Sequence, residues 1–164
     1  MKPHTPPPPV HATDLPIHTP NTGYPPPFAA RMTGRDRRVL GDRFGLDDFG
    51  VNHVTLAPGT SSALRHWHTL EDEFIYVLEG EVMLHTDGGL TRLTAGMCAG
   101  FKAGEANGHR LVNASSTPAS YLEVGARKPA DECRYPDDDL DGVVVDGQWR
   151  FQHKDGRPYP KPGS

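Results

Sequence analysis

The stretch from Gly59 to Gly80 constrains this chain more than any other, because it sets two histidines and a carboxylate against a run that reads as a β-strand. In an extended chain, residues two apart point to one face, so His66 and His68 present their imidazoles side by side while Trp67 faces away. Glu73 follows after a short polar connection and opens the apolar run Phe74 to Leu78, where it can return to the same point as the two histidines. Neutral imidazole and carboxylate suit zinc, iron, manganese, nickel or copper, and three protein ligands leave positions open for water or substrate. Further on, a Gly-rich connection from Gly96 to Gly108 feeds His109, which opens another alternating strand and shares a face with Leu111 and Asn113.

Together these stretches resemble the paired motifs of the cupin superfamily, in particular small single-domain bacterial cupins of the type-2 kind. The first motif there is a Gly, a gap, His-x-His, four residues, Glu, six residues and Gly, and His66, His68, Glu73 and Gly80 keep every spacing after the opening Gly. The second motif is met by Gly96, Gly104, His109 and Asn113. Three departures fall in loops, where changes of length are tolerated: Gly59 stands one residue too far from His66, Lys102 replaces the usual Pro, and the gap from Gly104 to His109 is longer by two. The resemblance covers roughly residues 50 to 125. It implies an all-β fold, an antiparallel jelly-roll β-barrel open at one end, holding one divalent ion (zinc, iron, manganese or nickel) on His66, His68, Glu73 and His109. Asn113 is then expected to orient a ligand imidazole.

The rest of the chain fits one β domain with extended ends. Among 164 residues are 18 Gly and 17 Pro, which shift the balance toward loops and tails. Residues 1–28 carry Pro6 to Pro9 and Pro25 to Pro27 and read as an extended arm; the histidines spaced along it, His4, His11 and His18, are read as polar tail residues. Residues 29–127 read as the barrel. Strands are expected at Phe49 to Leu56, Ser62 to Trp67, Glu73 to Leu78, Glu81 to His85, Leu90 to Leu93, Met97 to Phe101, His109 to Ala114 and Ser120 to Gly125. Residues 128–164 read as an acidic loop, a hairpin from Val143 to Phe151 on the Asp146-Gly147 turn, and a second Pro-rich tail. Cys98 is read as a small buried residue, and Glu71 and Asp72 as solvated charges.

A net charge of −4 gives no long-range attraction to nucleic acid or to an anionic membrane, and the basic cluster Arg35, Arg37 and Arg38 is offset by Asp36 and Asp42. Two cysteines without a Cys-x-x-Cys pair make a reducing cytoplasm the expectation, and no apolar run approaches the length that crosses a membrane. The barrel interior suits one small ligand. The resemblance implies a metal-dependent dioxygenase, decarboxylase, isomerase or lyase acting on a small oxygen-rich molecule; the alternatives are a module that binds such a ligand without converting it, as some cupins do, or an interaction module whose metal only braces the barrel. A homodimer is expected, paired through the proline-rich arms and the hairpin edge.

Overall fold

A computed structural model describes residues 7–18 and 23–160. Its twelve strands are β1 (Arg35–Val39), β2 (Phe49–Leu56), β3 (Trp67–His68), β4 (Glu73–Glu79), β5 (Glu81–Thr86), β6 (Gly89–Thr94), β7 (Cys98–Phe101), β8 (Arg110–Val112), β9 (Ala119–Ala126), β10 (Glu132–Tyr135), β11 (Leu140–Val145) and β12 (Gln148–Gln152). Helical structure among the described residues is limited to three short 3-10 turns. All strand pairs are antiparallel, in a five-stranded sheet β1-β2-β9-β4-β7, a four-stranded sheet β12-β11-β10-β3 and a three-stranded sheet β6-β5-β8. The two smaller sheets meet through isolated bridges, Ser61 to Val112 and His66 to His109, and so make one composite wall. Hydrogen bonding does not run in a closed ring around the described residues.

Two apolar clusters make the core, and the five-stranded sheet faces that wall across the first of them. One joins Val54, Leu56, Ile75, Val77, Ala119 and Tyr121 to Val82, Leu84, Leu93 and Leu111 of the three-stranded sheet. The other joins Leu64, Cys133, Tyr135 and Leu140 to Phe28 and Met32. Alternation decides which residues enter: along β4, Ile75 and Val77 are buried while Phe74, Tyr76 and Leu78 are exposed on the far side. Cross-strand pairing carries that phase outward. Val77 stands opposite Tyr121, Tyr121 opposite Val54, and Val54 opposite Arg37. The inner face of the large sheet is therefore apolar in its middle and ends, at β1, on two arginines, Arg35 and Arg37.

Several elements differ from the sequence expectation. Ser62 to Trp67 is not a continuous strand; it touches its neighbour only at bridges, and strand pairing resumes at β3. The charged run Arg35–Val39 is a strand, paired along its length with β2. The residues between Gly125 and the hairpin contain a further strand, β10, which bonds β11 on one side and β3 on the other. The segment read as an N-terminal arm is held to the body: His18 N–H donates to Arg37 O, the Tyr24 ring packs against Tyr135 and Phe151, and Phe28 is buried. His4 and Pro6 lie outside the described residues. Cys98 is exposed, because it pairs with Tyr76 on the outer face.

Candidate metal centre

The four expected side chains meet where the composite wall faces β4. His66 and His68 flank Trp67 and share a face, His109 is paired with His66 by reciprocal backbone bonds of 3.1 and 2.8 Å, and Glu73 enters from the opposite sheet at the inward phase of β4. Around Glu73 Oε2 stand His109 Nε2 at 2.9 Å, His68 Nε2 at 3.6 Å and His66 Nε2 at 3.7 Å. Donors about 2.1 Å from a common ion lie roughly 3.0 to 3.4 Å from one another at the edges of an octahedron or tetrahedron. The observed separations bracket that range. Glu73 Oε2 is buried, and although His109 Nε2 stands at hydrogen-bond distance it accepts no well-aligned hydrogen bond among the described residues, an anion oxygen of the kind an ion would satisfy. The residues present therefore fit a divalent ion: the ligand atoms of His66, Glu73 and His109 all lie within 4.8 Å of one another and could hold one, with His68 Nε2 3.6 Å from Glu73 Oε2 beside them.

The backs of the imidazoles are fixed by partners that leave Nε2 toward the cluster. His66 Nδ1 lies 2.7 Å from Leu64 O and His68 Nδ1 lies 2.5 Å from Asp131 Oδ2. Asp131 is fully buried, and its other oxygen accepts the Leu70 N–H at 2.7 Å, which ties the carboxylate to the turn after β3. The His109 ring lies flat on Phe101, with centroids 3.5 Å apart. Burial pushes His66 down to about 4, with the Glu73 charge opposing. At His68 burial acts downward too, but the hydrogen bonds to Asp131 and Cys133 outweigh it and raise the imidazole to about 11. Glu73 is raised by burial and brought down to about 2 by His109, His66 and His68.

The cluster opens on a cavity of about 670 Å³ between the two walls. Ile75, Phe101 and Leu111 line its apolar side, Tyr121 and Glu123 of β9 its floor, and Trp149 of β12 its rim near His68. The Trp149 indole lies close against Gly142, where an added Cβ would meet it at 3.2 Å.

Sequence reasoning placed the four side chains but not their surroundings. Asn113 does not support an imidazole; it is buried in its own loop, donating to Leu56 O and Thr117 O and accepting from Ser115. Asp131 takes that part from 63 residues beyond His68, and no local spacing announces it. Glu71 is half-buried at the cavity and accepts the Lys128 N–H, whereas Asp72 is exposed and paired with Lys102. His53 points to the outer face, opposite Leu122.

Comparison with known proteins now bears on this geometry. The family described as "Cupin domain" matches residues 52–125. A solved sugar phosphate isomerase of the cupin superfamily from Silicibacter pomeroyi is 39% identical, with 93% of this chain and 97% of that one covered and a TM-score of 0.88. The chain belongs to the cupin superfamily, with a cupin type-2 domain. This cupin is also similar to the tetracenomycin polyketide synthase protein TcmJ of Streptomyces glaucescens, 27% identical over 109 residues that make up 65% of this chain and 71% of that one. The polyketide cyclase RemF of Streptomyces resistomycificus shares the fold at 24% identity and a TM-score of 0.58, over 74% of this chain and 81% of its own. Among the described residues of this cupin, no helix is long and apolar enough to cross a membrane.

Proposed function

We propose that this cupin holds one divalent ion on His66, His68, Glu73 and His109 and isomerises a small polyhydroxylated carbonyl compound in the adjoining cavity. The observation that carries the reading is the meeting of three Nε2 atoms around the buried Glu73 Oε2 at one end of a cavity sized for a single small ligand. The Silicibacter protein, a sugar phosphate isomerase alike over nearly the whole chain, supports the reaction class.

Bound there, the ion would polarise a carbonyl or hydroxyl oxygen of the substrate and bring two neighbouring oxygens together. The chain's own groups do the rest. Asp131 keeps the His68 ring turned toward the cluster. Ile75, Phe101 and Leu111 exclude water from one side of the substrate. Glu123, the cavity carboxylate on β9, is set by Asn52 at 3.0 Å and by Arg35 at 3.2 Å, and we assign it the transfer of a proton between adjacent carbons. A panel of aldoses, ketoses and their derivatives, followed by proton exchange with deuterated water, tests this. Exchange at one carbon should require metal and fall by about a hundredfold in Glu123→Gln; no exchange with any compound by metal-replete protein would remove the isomerase reading.

The two facing walls support a jelly-roll barrel closed by side chains instead of by a hydrogen-bonded ring. We further propose a homodimer, built not on the terminal segments but on the outer face of the five-stranded sheet. Phe74, Tyr76 and Leu78 stand there exposed beside Leu122 and Val124. The strip is apolar and carries no charge, so a two-fold axis can lay it on itself without opposing like charges.

A further inference from the structure

The end of the cavity remote from the metal cluster is lined by arginines that the metal reading does not use. Arg35 and Arg37 both project inward from β1, two residues apart on one face. Arg35 is partly neutralised: its Nη2 donates to both oxygens of Glu123, at 3.3 and 3.2 Å. Its Nε is buried and has no partner among the described residues. Arg37 makes neither an ion pair nor a side-chain hydrogen bond among the described residues, although it also lines the cavity. Burial and the neighbouring Arg35 both work against its charge. The Tyr121 hydroxyl, which has Arg35 and Ser62 as neighbours, is fully buried and likewise makes no well-formed hydrogen bond among the described residues.

The two guanidinium groups outweigh the one carboxylate beside them, Glu123, which stands on β9 midway between the Glu73 and Tyr121 levels, and leave this part of the cavity with an excess positive charge. It also keeps two buried donors, the Arg35 Nε–H and the Tyr121 hydroxyl, without a well-formed hydrogen bond, which is unfavourable if nothing accepts from them. An anion with several acceptor oxygens relieves both. A carboxylate offers two oxygens to these groups. A terminal phosphate offers three around a tetrahedron and up to two charges, matching a forked guanidinium, an isolated Nε–H and a phenol arriving from different strands.

The placement gives the ligand its length. Glu73 lies opposite Gly125 on β9, and Tyr121 opposite Val77, four residues away, so the two ends are separated by roughly 13 Å along the strands before the side chains reach inward. Resting on the isomerase reading above, we propose that Arg37, Tyr121 and the Arg35 Nε bind the phosphate of a phosphorylated substrate while its carbonyl end meets the cluster. The arginine end then selects phosphorylated over neutral compounds, and the cluster end carries out the conversion.

Inorganic phosphate is the probe. It is titrated calorimetrically, at constant ionic strength with chloride as control, into metal-loaded protein and into protein stripped by chelator, using the wild type, Arg37→Met and Tyr121→Phe. Arg37 has no partner whose loss would unfold the chain, and Phe keeps the shape of the buried ring, so either variant serves if the other misfolds. Phosphate should bind both forms of the wild type, and Arg37→Met should weaken it by about tenfold or more, Tyr121→Phe by severalfold. Equal binding by wild type and Arg37→Met, binding by the metal-loaded form alone, or no binding to either form would overturn the proposal. Metal content is measured on the same samples. Stoichiometric metal without Arg37-dependent phosphate binding rejects the phosphate site and leaves the metal centre standing; phosphate binding without metal does the reverse.

Discussion

The two faces of the five-stranded sheet are made by alternate residues of the same strands, yet they differ in kind. Inward, β4 and β9 present Glu73, Ile75, Val77, Tyr121 and Glu123; outward, the residues between them are Phe74, Tyr76, Leu122 and Val124. The inner face mixes apolar walls with buried carboxylates, a phenol and arginines, each held by specific partners or left pointing into the cavity. The outer face is apolar around the exposed Phe74, Tyr76 and Leu78, and polar or charged toward β1, at His53, Asp36 and Arg38. A period of two thus divides a single strand between a cavity face and an exposed apolar face, and a shift of register by one would exchange them. Substitutions one residue apart should therefore fail in different assays.

The largest expected effect is on the inner side. His68→Ala and Glu73→Ala should each lose bound metal and, with it, the ligand-linked part of the melting temperature, so that chelator lowers the melting point of the wild type but not of either variant. Calorimetric scans with and without chelator check this, and a variant melting curve that still responds to chelator breaks the contrast. Next comes the support beneath the cluster: Asp131→Asn keeps the shape but weakens the hold on the His68 ring, and should cost about 10 to 100-fold in metal affinity. Competition with a chromogenic chelator measures it.

On the outer side, Tyr76→Glu places a charge in the apolar strip. Light scattering should show a species of twice the monomer mass for the wild type and the monomer mass for Tyr76→Glu, with metal content unchanged in both. A wild type that scatters as a monomer would remove the associative half of the comparison. The smallest effect belongs to His53→Ala, an outward residue opposite Leu122, which should leave metal content unaltered and stability within about 0.5 kcal/mol. Metal loss in that variant would mean that the phase of β2 is other than described.

How much of this was legible in the sequence depended on whether a residue's role was local. The strand from Phe49 to Leu56 was found to the residue, and the inward phase of Glu73 followed from its spacing to His66 and His68 and from the apolar run behind it. β1 was missed because its alternation is of arginines with an aspartate and another arginine, and charge carries no burial signal until the cavity that receives Arg35 and Arg37 is known. β10 is four residues in a polar segment, and it is made a strand by neighbours on both sides, β3 and β11, far away in sequence. Asn113 was given the role that Asp131 fills for the same reason. Asn113 stands near His109 in sequence yet serves its own loop, while Asp131 reaches His68 only through the β10 to β3 pairing.

The central claim is that one ion sits where the His66, His68 and His109 Nε2 atoms surround Glu73 Oε2. Anomalous diffraction from crystals of metal-replete protein, recorded on both sides of the absorption edge of the metal found by elemental analysis, tests it most directly. The account predicts a single peak about 2.0 to 2.3 Å from all four donor atoms. No peak among these side chains, or a peak bound by other residues while Glu73 turns away from the three imidazoles, would contradict it.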